Sequence, residues 1–392
     1  MENKRQYHLS KDPANVEVTY FQRRFIGQAF QKLYMKYTTL TLLIIPVSLL
    51  QNCGDKDYPD SIKSTKTIEI KMDLLKGDSP EFIIDILDTI NLEVLGNPPI
   101  TSVQDLAFSQ DFFVLLDRKQ GLLKFDNNGS FLGKIGEQGE GPDEYSAPSA
   151  IHLDEKENMV LVADWMKMMV LSYDLEGNFN SSSQRLPGHP ISFYKNNDTL
   201  LVVQETLNGT KEQPRQVLIS SIDPKTLEVK NWERPLYGYH SNYTNIHSIP
   251  RILSRVKNAN LFYLPIIRGD ISSHRDRDTI FRKQEGRLTP EYLLHFTGFD
   301  NTLQLGISQV VMSDKYAFLR VVYDNRSYFI GIDLENNRPL IHLRKLFDRE
   351  LTPEMIPKPF NGDIFYSILR DEESTEEKNP LIVFYRLKPI GN

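Results

Sequence analysis

The sequence predicts an all-β fold: a six-bladed β-propeller of four-stranded antiparallel blades, its ring closed by pairing N- and C-terminal strands. Three observations predict it. Beyond residue 66, apolar runs are short, alternate with period two and are bounded by Asp, Asn, Gly and Pro. A unit of strand, Asp, strand, aromatic-Asp and glycine turn repeats, with Asp117 and Asp164 set 47 residues apart. That spacing is the length of a propeller blade. No long amphipathic helical pattern follows residue 90.

The clearest copies come first. Phe112–Leu116, ending at Asp117, precedes Leu122–Phe125, Asp126, the turn Asn127-Asn128-Gly129 and Phe131–Ile135. Met159–Val162, with Asp164 beyond it, precedes Met169–Tyr173, Asp174, the turn Glu176-Gly177-Asn178 and Phe179. Glycine is needed in both turns because hairpin turns require positive φ. A third copy reads Ile191–Tyr194, Leu200–Gln204, Val217–Ile222 and Leu227–Asn231. A fourth reads Ile249–Leu253, Leu261–Pro265, Thr279–Arg282 and Tyr292–Phe296, and a fifth Ile307–Met312, Tyr316–Val322, Tyr328–Asp333 and Leu340–Leu343. Asp363–Leu369 and Leu381–Leu387 make two strands of a sixth. Ile68–Met72 or Phe82–Leu87 supplies a missing strand, which would hide sheet edges. The competing architectures are a β-sandwich pair and a β-solenoid; repeats of six or nine residues, the mark of a solenoid, are absent.

The propeller is expected over residues 67–390, behind a tripartite N-terminal region. Residues 1–34 are read as an upstream extension or cytoplasmic leader, with Met35 as the start of a signal peptide over 35–52. Leu40–Leu50 is an uncharged apolar run interrupted by Pro46, too short to span a bilayer as a helix. It ends in Leu49-Leu50-Gln51-Asn52-Cys53, which resembles a bacterial lipobox, with Gln51 and Asn52 where small residues are usual. Cys53 is the single cysteine, so an intramolecular disulfide and a multi-cysteine zinc site are excluded. It is the expected lipidation site, and several acyl chains there would make membrane residence stable. Residues 53–66 are polar and expected to be a flexible tether.

Charge agrees with export. Residues 1–52 hold seven Lys/Arg against three Asp/Glu, leaving 39 basic and 49 acidic residues from Cys53 onward, a net of −10. A body of that sign has no electrostatic footprint for nucleic acid.

The most distinctive stretch is Gly133-Lys134-Ile135-Gly136-Glu137-Gln138-Gly139-Glu140-Gly141-Pro142-Asp143-Glu144-Tyr145. It resembles the G-x-G-P-x-E-Y signature of six-bladed β-propeller lipoproteins of Gram-negative bacteria, relatives of the NHL-repeat propellers. Asp278–Phe281 with Leu288–Tyr292, and the closing Asn379–Lys388, look like the same family. The resemblance implies a propeller fold and an envelope location, expected at the outer membrane with the side undetermined; it implies no reaction. Gly139, Gly141, Pro142, Glu144 and Tyr145 are read either as a loop bridging two blades or as a ligand-contacting rim. The glycines would allow sharp turns and Pro142 would stiffen the exit.

Chemistry is sparse. No H-E-x-x-H and no close His pair is present, so no metal and no cofactor are expected. No G-x-S-x-G elbow occurs either. Tyr237, Tyr239, His240, Asn242 and Tyr243 form a second candidate binding loop, since rings stack on sugars and amides hydrogen-bond; the alternative is an exposed blade connection. Gly269–Asp278 and Asp371–Glu377 read as surface loops, the first laced by Asp–Arg pairs. The leading expectation is a lipid-anchored, non-catalytic binding or scaffold module for an envelope protein, peptide or glycan. The alternative is a glycan-acting propeller lyase or hydrolase.

Overall fold

The computed structural model describes residues 65–73, 82–93, 99–196, 199–206, 215–232, 237–239, 253–256, 259–263, 279–284, 287–300, 305–313, 315–324, 326–342, 345–347, 349–350, 352, 354–370 and 378–389. Cys53 and the leader lie outside them. Two strands come first, β1 (Lys66–Lys71) and β2 (Phe82–Asn91). Sheet one then holds β3 (Val103–Phe108), β4 (Phe112–Asp117), β5 (Gly121–Asp126) and β6 (Phe131–Ile135). Sheet two holds β7 (Pro148–Asp154), β8 (Met159–Asp164), β9 (Met169–Asp174) and β10 (Phe179–Ser182). Sheet three holds β11 (His189–Asn196), β12 (Thr199–Glu205), β13 (Arg215–Ile222), β14 (Val229–Trp232) and β15 (Tyr237–Tyr239). Sheet four holds β16 (Leu253–Val256), β17 (Ala259–Tyr263), β18 (Thr279–Gln284) and β19 (Arg287–Thr297). Sheet five holds β20 (Leu305–Met312), β21 (Tyr316–Tyr323), β22 (Arg326–Asp333) and β23 (Arg338–His342). After the short hairpin β24 (Lys345–Leu346) and β25 (Arg349–Glu350), sheet six holds β26 (Lys358–Asn361), β27 (Ile364–Leu369) and β28 (Leu381–Pro389).

The chain is therefore all-β, a propeller-like succession of antiparallel sheets. The strand from the N-terminal side that completes sheet six is β2, which pairs antiparallel with β28 from Phe82↔Pro389 to Asn91↔Leu381. The other candidate, β1, goes elsewhere. It adds to the outer side of sheet four, parallel to β19, with Ile68 opposite Leu294 and Ile70 opposite Phe296. Purely antiparallel four-stranded blades thus describe most sheets but not sheet four, nor sheet three with its fifth strand β15.

Packing explains the sequence pattern. On β4 the side chains alternate between two apolar clusters. Phe113 and Leu115 pack with Ile382 and Phe384 of sheet six, while Val114 and Leu116 pack with Val160 and Val162 of sheet two. A strand buried on both faces reads as a continuous apolar run. The same logic joins sheets two and three through Leu161 and Val202, and sheets three, four and five through one large cluster. Sheets five and six meet around Phe318, Phe365 and Tyr385. The first strands contact in order, β3 with β7, β7 with β11, β11 with β16, β16 with β20 and β20 with β26.

Three of these first strands, β3, β7 and β26, escape the sequence pattern. All of β3 is half-buried, β7 begins Pro-Ser, and β26 is Lys-Pro-Phe-Asn. Each carries a β-bulge near its start or middle, as do β11 and β20. A bulge breaks strict alternation and so erases the period-two signal. The first strand of sheet four is Leu253–Val256; of the expected Ile249–Leu253, only Leu253 lies among the described residues.

Candidate functional site

Each sheet has two ends. At the connector end the chain enters its first strand and turns from second to third; at the other end the third strand turns into the fourth. The repeated aspartates serve both. At the connector end of sheet one, Asp117 Oδ2 accepts from the Thr101 and Ser102 amides, and Oδ1 from those of Lys119 and Gln120. Asp164 repeats this with Ser146, Ala147 and Lys167. One carboxylate thus caps a turn and holds the incoming connector. At the opposite end, Asp126 accepts from Asn128 and Ser130, and Asp174 from Glu176 and Asn178. Gly129 and Gly177 have φ of 88° and 94°, the left-handed conformation the turns demand.

The signature stretch is the connector from sheet one to sheet two. Its residues converge on one another. The Gly141 amide donates to Glu144 Oε2 at 2.7 Å, and a Cβ at Gly139 would collide with that carboxylate. Tyr145 N donates to Glu137 O, and Gly139 N to Tyr145 O, both at 3.0 Å. The Tyr145 ring is buried, and its hydroxyl accepts from the Leu122 amide at 3.0 Å. It stands edge-on to Tyr173, whose hydroxyl donates to Asp143 O at 2.9 Å. Lys167 Nζ reaches back to the carbonyls of Gly141 and Glu144. Gly139, Gly141, Glu144 and Tyr145 are thus drawn into one latch between two sheets, with Pro142 in the turn it fastens. Lys167 and Tyr173 complete it; their roles were hidden because their partners are main-chain atoms with no sequence signature.

Burial pushes the Tyr145 hydroxyl up to about 12, and burial also raises Tyr173 and Tyr385. A raised folded-state value means that ionisation occurs more readily in the unfolded chain. Stability from these groups is complete below about pH 10, the unfolded tyrosine value, and is lost as pH rises through the folded values. Thermal midpoints should be flat from neutrality to about pH 10 and fall beyond it; a midpoint that rises over that range would contradict the burial effect.

Beside the latch lies a second group at the same end. Trp165 follows Asp164, and its amide donates to Ala147 O at 2.9 Å. His189 opens β11 of the next sheet. Its Nδ1 lies 2.7 Å from Trp165 O, so Nδ1 carries the proton, because a carbonyl only accepts. The two rings lie against each other at 4.4 Å, tilted by 32°. Both are half-buried, and the neighbouring Met166 is 60% exposed. Two sheets thereby present an aromatic and thioether surface at their seam. The sequence offered no warning of it, because residues 24 apart meet only through packing.

The other candidate loop is divided. Tyr237 and Tyr239 lie in β15, paired with Val217 and Arg215 of β13. His240, Asn242 and Tyr243 lie outside the described residues, as do Gly269–Asp278 and Asp371–Glu377. Among the described residues, no group of three or more His, Cys, Asp or Glu is placed to hold a metal ion.

Known proteins give the following likenesses. A crystal structure of an exported protein, as it is described, from Bacteroides fragilis is similar at a TM-score of 0.60 and 17% identity, over 82% of this chain and 99% of that one. A member of the DUF4221 family from Bacteroides vulgatus is similar at a TM-score of 0.50 and 12% identity, over 78% of this chain and 98% of its own. At such identities the likeness concerns the fold. No curated protein matches the chain. The family match covers residues 81–386, from the residue before β2 to near the end of β28, and on it the chain belongs to the family described as domain of unknown function DUF4934.

Proposed function

We propose that this protein is a lipid-anchored binding or scaffold module of the bacterial cell envelope, built as a six-bladed propeller. Six sheets of four or five strands support the blade count, and the pairing of β2 with β28 together with the packing of sheet six on sheet one supports a closed ring. The anchor is Cys53, and outer-membrane residence is the reading that follows from the lipobox-like leader. Export is supported by the description of the Bacteroides fragilis protein of similar fold.

The observation that carries a binding role is the tilted Trp165–His189 ring contact with exposed Met166 at the connector end. An indole fixed by a neighbouring ring offers its apolar surface at little entropic cost. Such a surface suits a sugar ring or an aliphatic side chain of an envelope glycan, peptide or protein. The exposed thioether adapts to the ligand's shape.

The test pairs capture from envelope extracts with a glycan array, using the acylated protein. Trp165→Ala should weaken the captured ligand about 30-fold, roughly the ~2 kcal/mol of a truncated aromatic anchor. Because the indole also packs against the core of sheets three to five, the thermal midpoint should fall too, and binding is compared at a temperature where both proteins are folded. Full binding by this variant would move the site elsewhere. Glycan turnover by the purified protein would overturn a binding-only role. Cys53→Ala should release the protein from membranes; unchanged retention would refute the lipid anchor.

A further inference from the structure

We propose that the free edge of β2 is a strand-addition site, taking an extended, basic and apolar peptide segment from a partner protein. Among the described residues β2 stands at the end of its sheet, bonded to β28 on one side only. It is ten residues long. Ile83, Ile86 and Leu87 on it are 56%, 55% and 41% exposed. Ile83 and Ile86, three positions apart, project to opposite faces of the sheet. The open backbone edge is therefore flanked by apolar side chains on both sides, which is what an incoming strand needs for cross-strand contacts. Main-chain bonds would supply affinity and these side chains selectivity.

The other outer strands show how unusual this is. β6, β10, β14 and β23 have five, four, four and five residues, short edges that invite little pairing. Among the described strands only β19, with eleven residues, is longer than β2, and its edge is covered by β1. The fold thus accepts an added strand on one long edge and leaves the other long edge open. A bulge between Ile86 and Asp88 divides β2, so an added strand would pair along Phe82–Leu87 and end beside Asp88.

Charge selects the occupant. Asp85 is held by Lys388 at 2.6 Å, and the exposed Asp88 side chain is bonded only to the adjacent Thr89 amide. The body from Cys53 on carries a net of −10. A second copy of β2 would bring two more aspartates alongside these two, and like charges across strands destabilise pairing. A strand with Lys or Arg between apolar residues meets both the charges and the isoleucines.

The probe is a capped nonapeptide of alternating Val and Lys, with a Val/Glu peptide as control, added to the full chain. The Val/Lys peptide should bind and slow hydrogen exchange at amides of residues 82–87, and the Val/Glu peptide should bind more weakly. Ile83→Lys with Ile86→Lys should weaken binding about tenfold, as expected from losing two cross-strand pairs. If that pair of changes lowers the thermal midpoint, Asp88→Lys serves instead: it should weaken the Val/Lys peptide and strengthen the Val/Glu one. Absence of Val/Lys binding, protection confined to other strands, or equal affinity for both peptides would overturn the proposal. So would a concentration-dependent dimer that Ile83→Lys dissolves, which would assign the edge to a second copy.

Discussion

Replacing Ile68 and Ile70 together with alanine is expected to destabilise the fold by about 4–10 kcal/mol, since each buried isoleucine truncation costs about 2–5 kcal/mol. Against a total stability of about 5–15 kcal/mol, such a loss brings the domain close to unfolding at ordinary temperature. Both side chains are fully buried, at 0% and 1% exposure, in the cluster that joins sheets three, four and five. Met72 extends the same row. The alternate positions Thr67, Glu69 and Lys71 face outward, so Glu69→Ala and Lys71→Ala should shift the thermal midpoint little. What makes the prediction sharp is that β1 lies before the family match, which begins at residue 81. If β1 were a dispensable extension, the double alanine variant would melt with the parent. A large drop, checked by chemical denaturation, makes it a structural strand of sheet four. The closing contact is at its far end, where Gly298, with φ of 67°, accommodates Asp73.

Tyr145→Ala should cost about 3–5 kcal/mol, the range for removing a buried aromatic ring. Tyr145→Phe should cost about 1–3 kcal/mol, because the Leu122 amide then loses its acceptor in a buried place. The difference between the two variants separates ring packing against Tyr173 from the hydroxyl bond. Gly121 explains why the pocket is narrow: its φ is 80°, and a Cβ there would run into the Tyr145 hydroxyl. Gly121→Ala should therefore resemble Tyr145→Ala in destabilising the seam between sheets one and two. Should Tyr145→Ala instead melt with the parent while losing a ligand, the connector would be a contact surface rather than a latch.

Much of this was legible in the residues. The strands Phe112–Asp117, Gly121–Asp126, Met159–Asp164 and Met169–Asp174 could be read because both faces are apolar and Asp and Gly punctuate them. The paired Asp and Gly positions carried real geometry: the carboxylates cap main-chain amides, and the glycines take positive φ. The first strands β3, β7 and β26 were not legible, since they mix polar and apolar residues without a period. The choice between β1 and β2 for sheet six was not legible either. Both runs alternate, and only the contacts they find decide between them.

The sequence by itself determined the class of fold, the repeat and the turn chemistry, because those depend on residues near each other along the chain. The tertiary structure decided which strand completes sheet six, where β1 docks, and how Glu144 and Tyr145 bind the connector. It also decided that Trp165 meets His189 and that, among the described residues, β2 pairs on one side only. Each of these joins residues distant in sequence, and such pairings are set by the packing of whole sheets rather than by local preference.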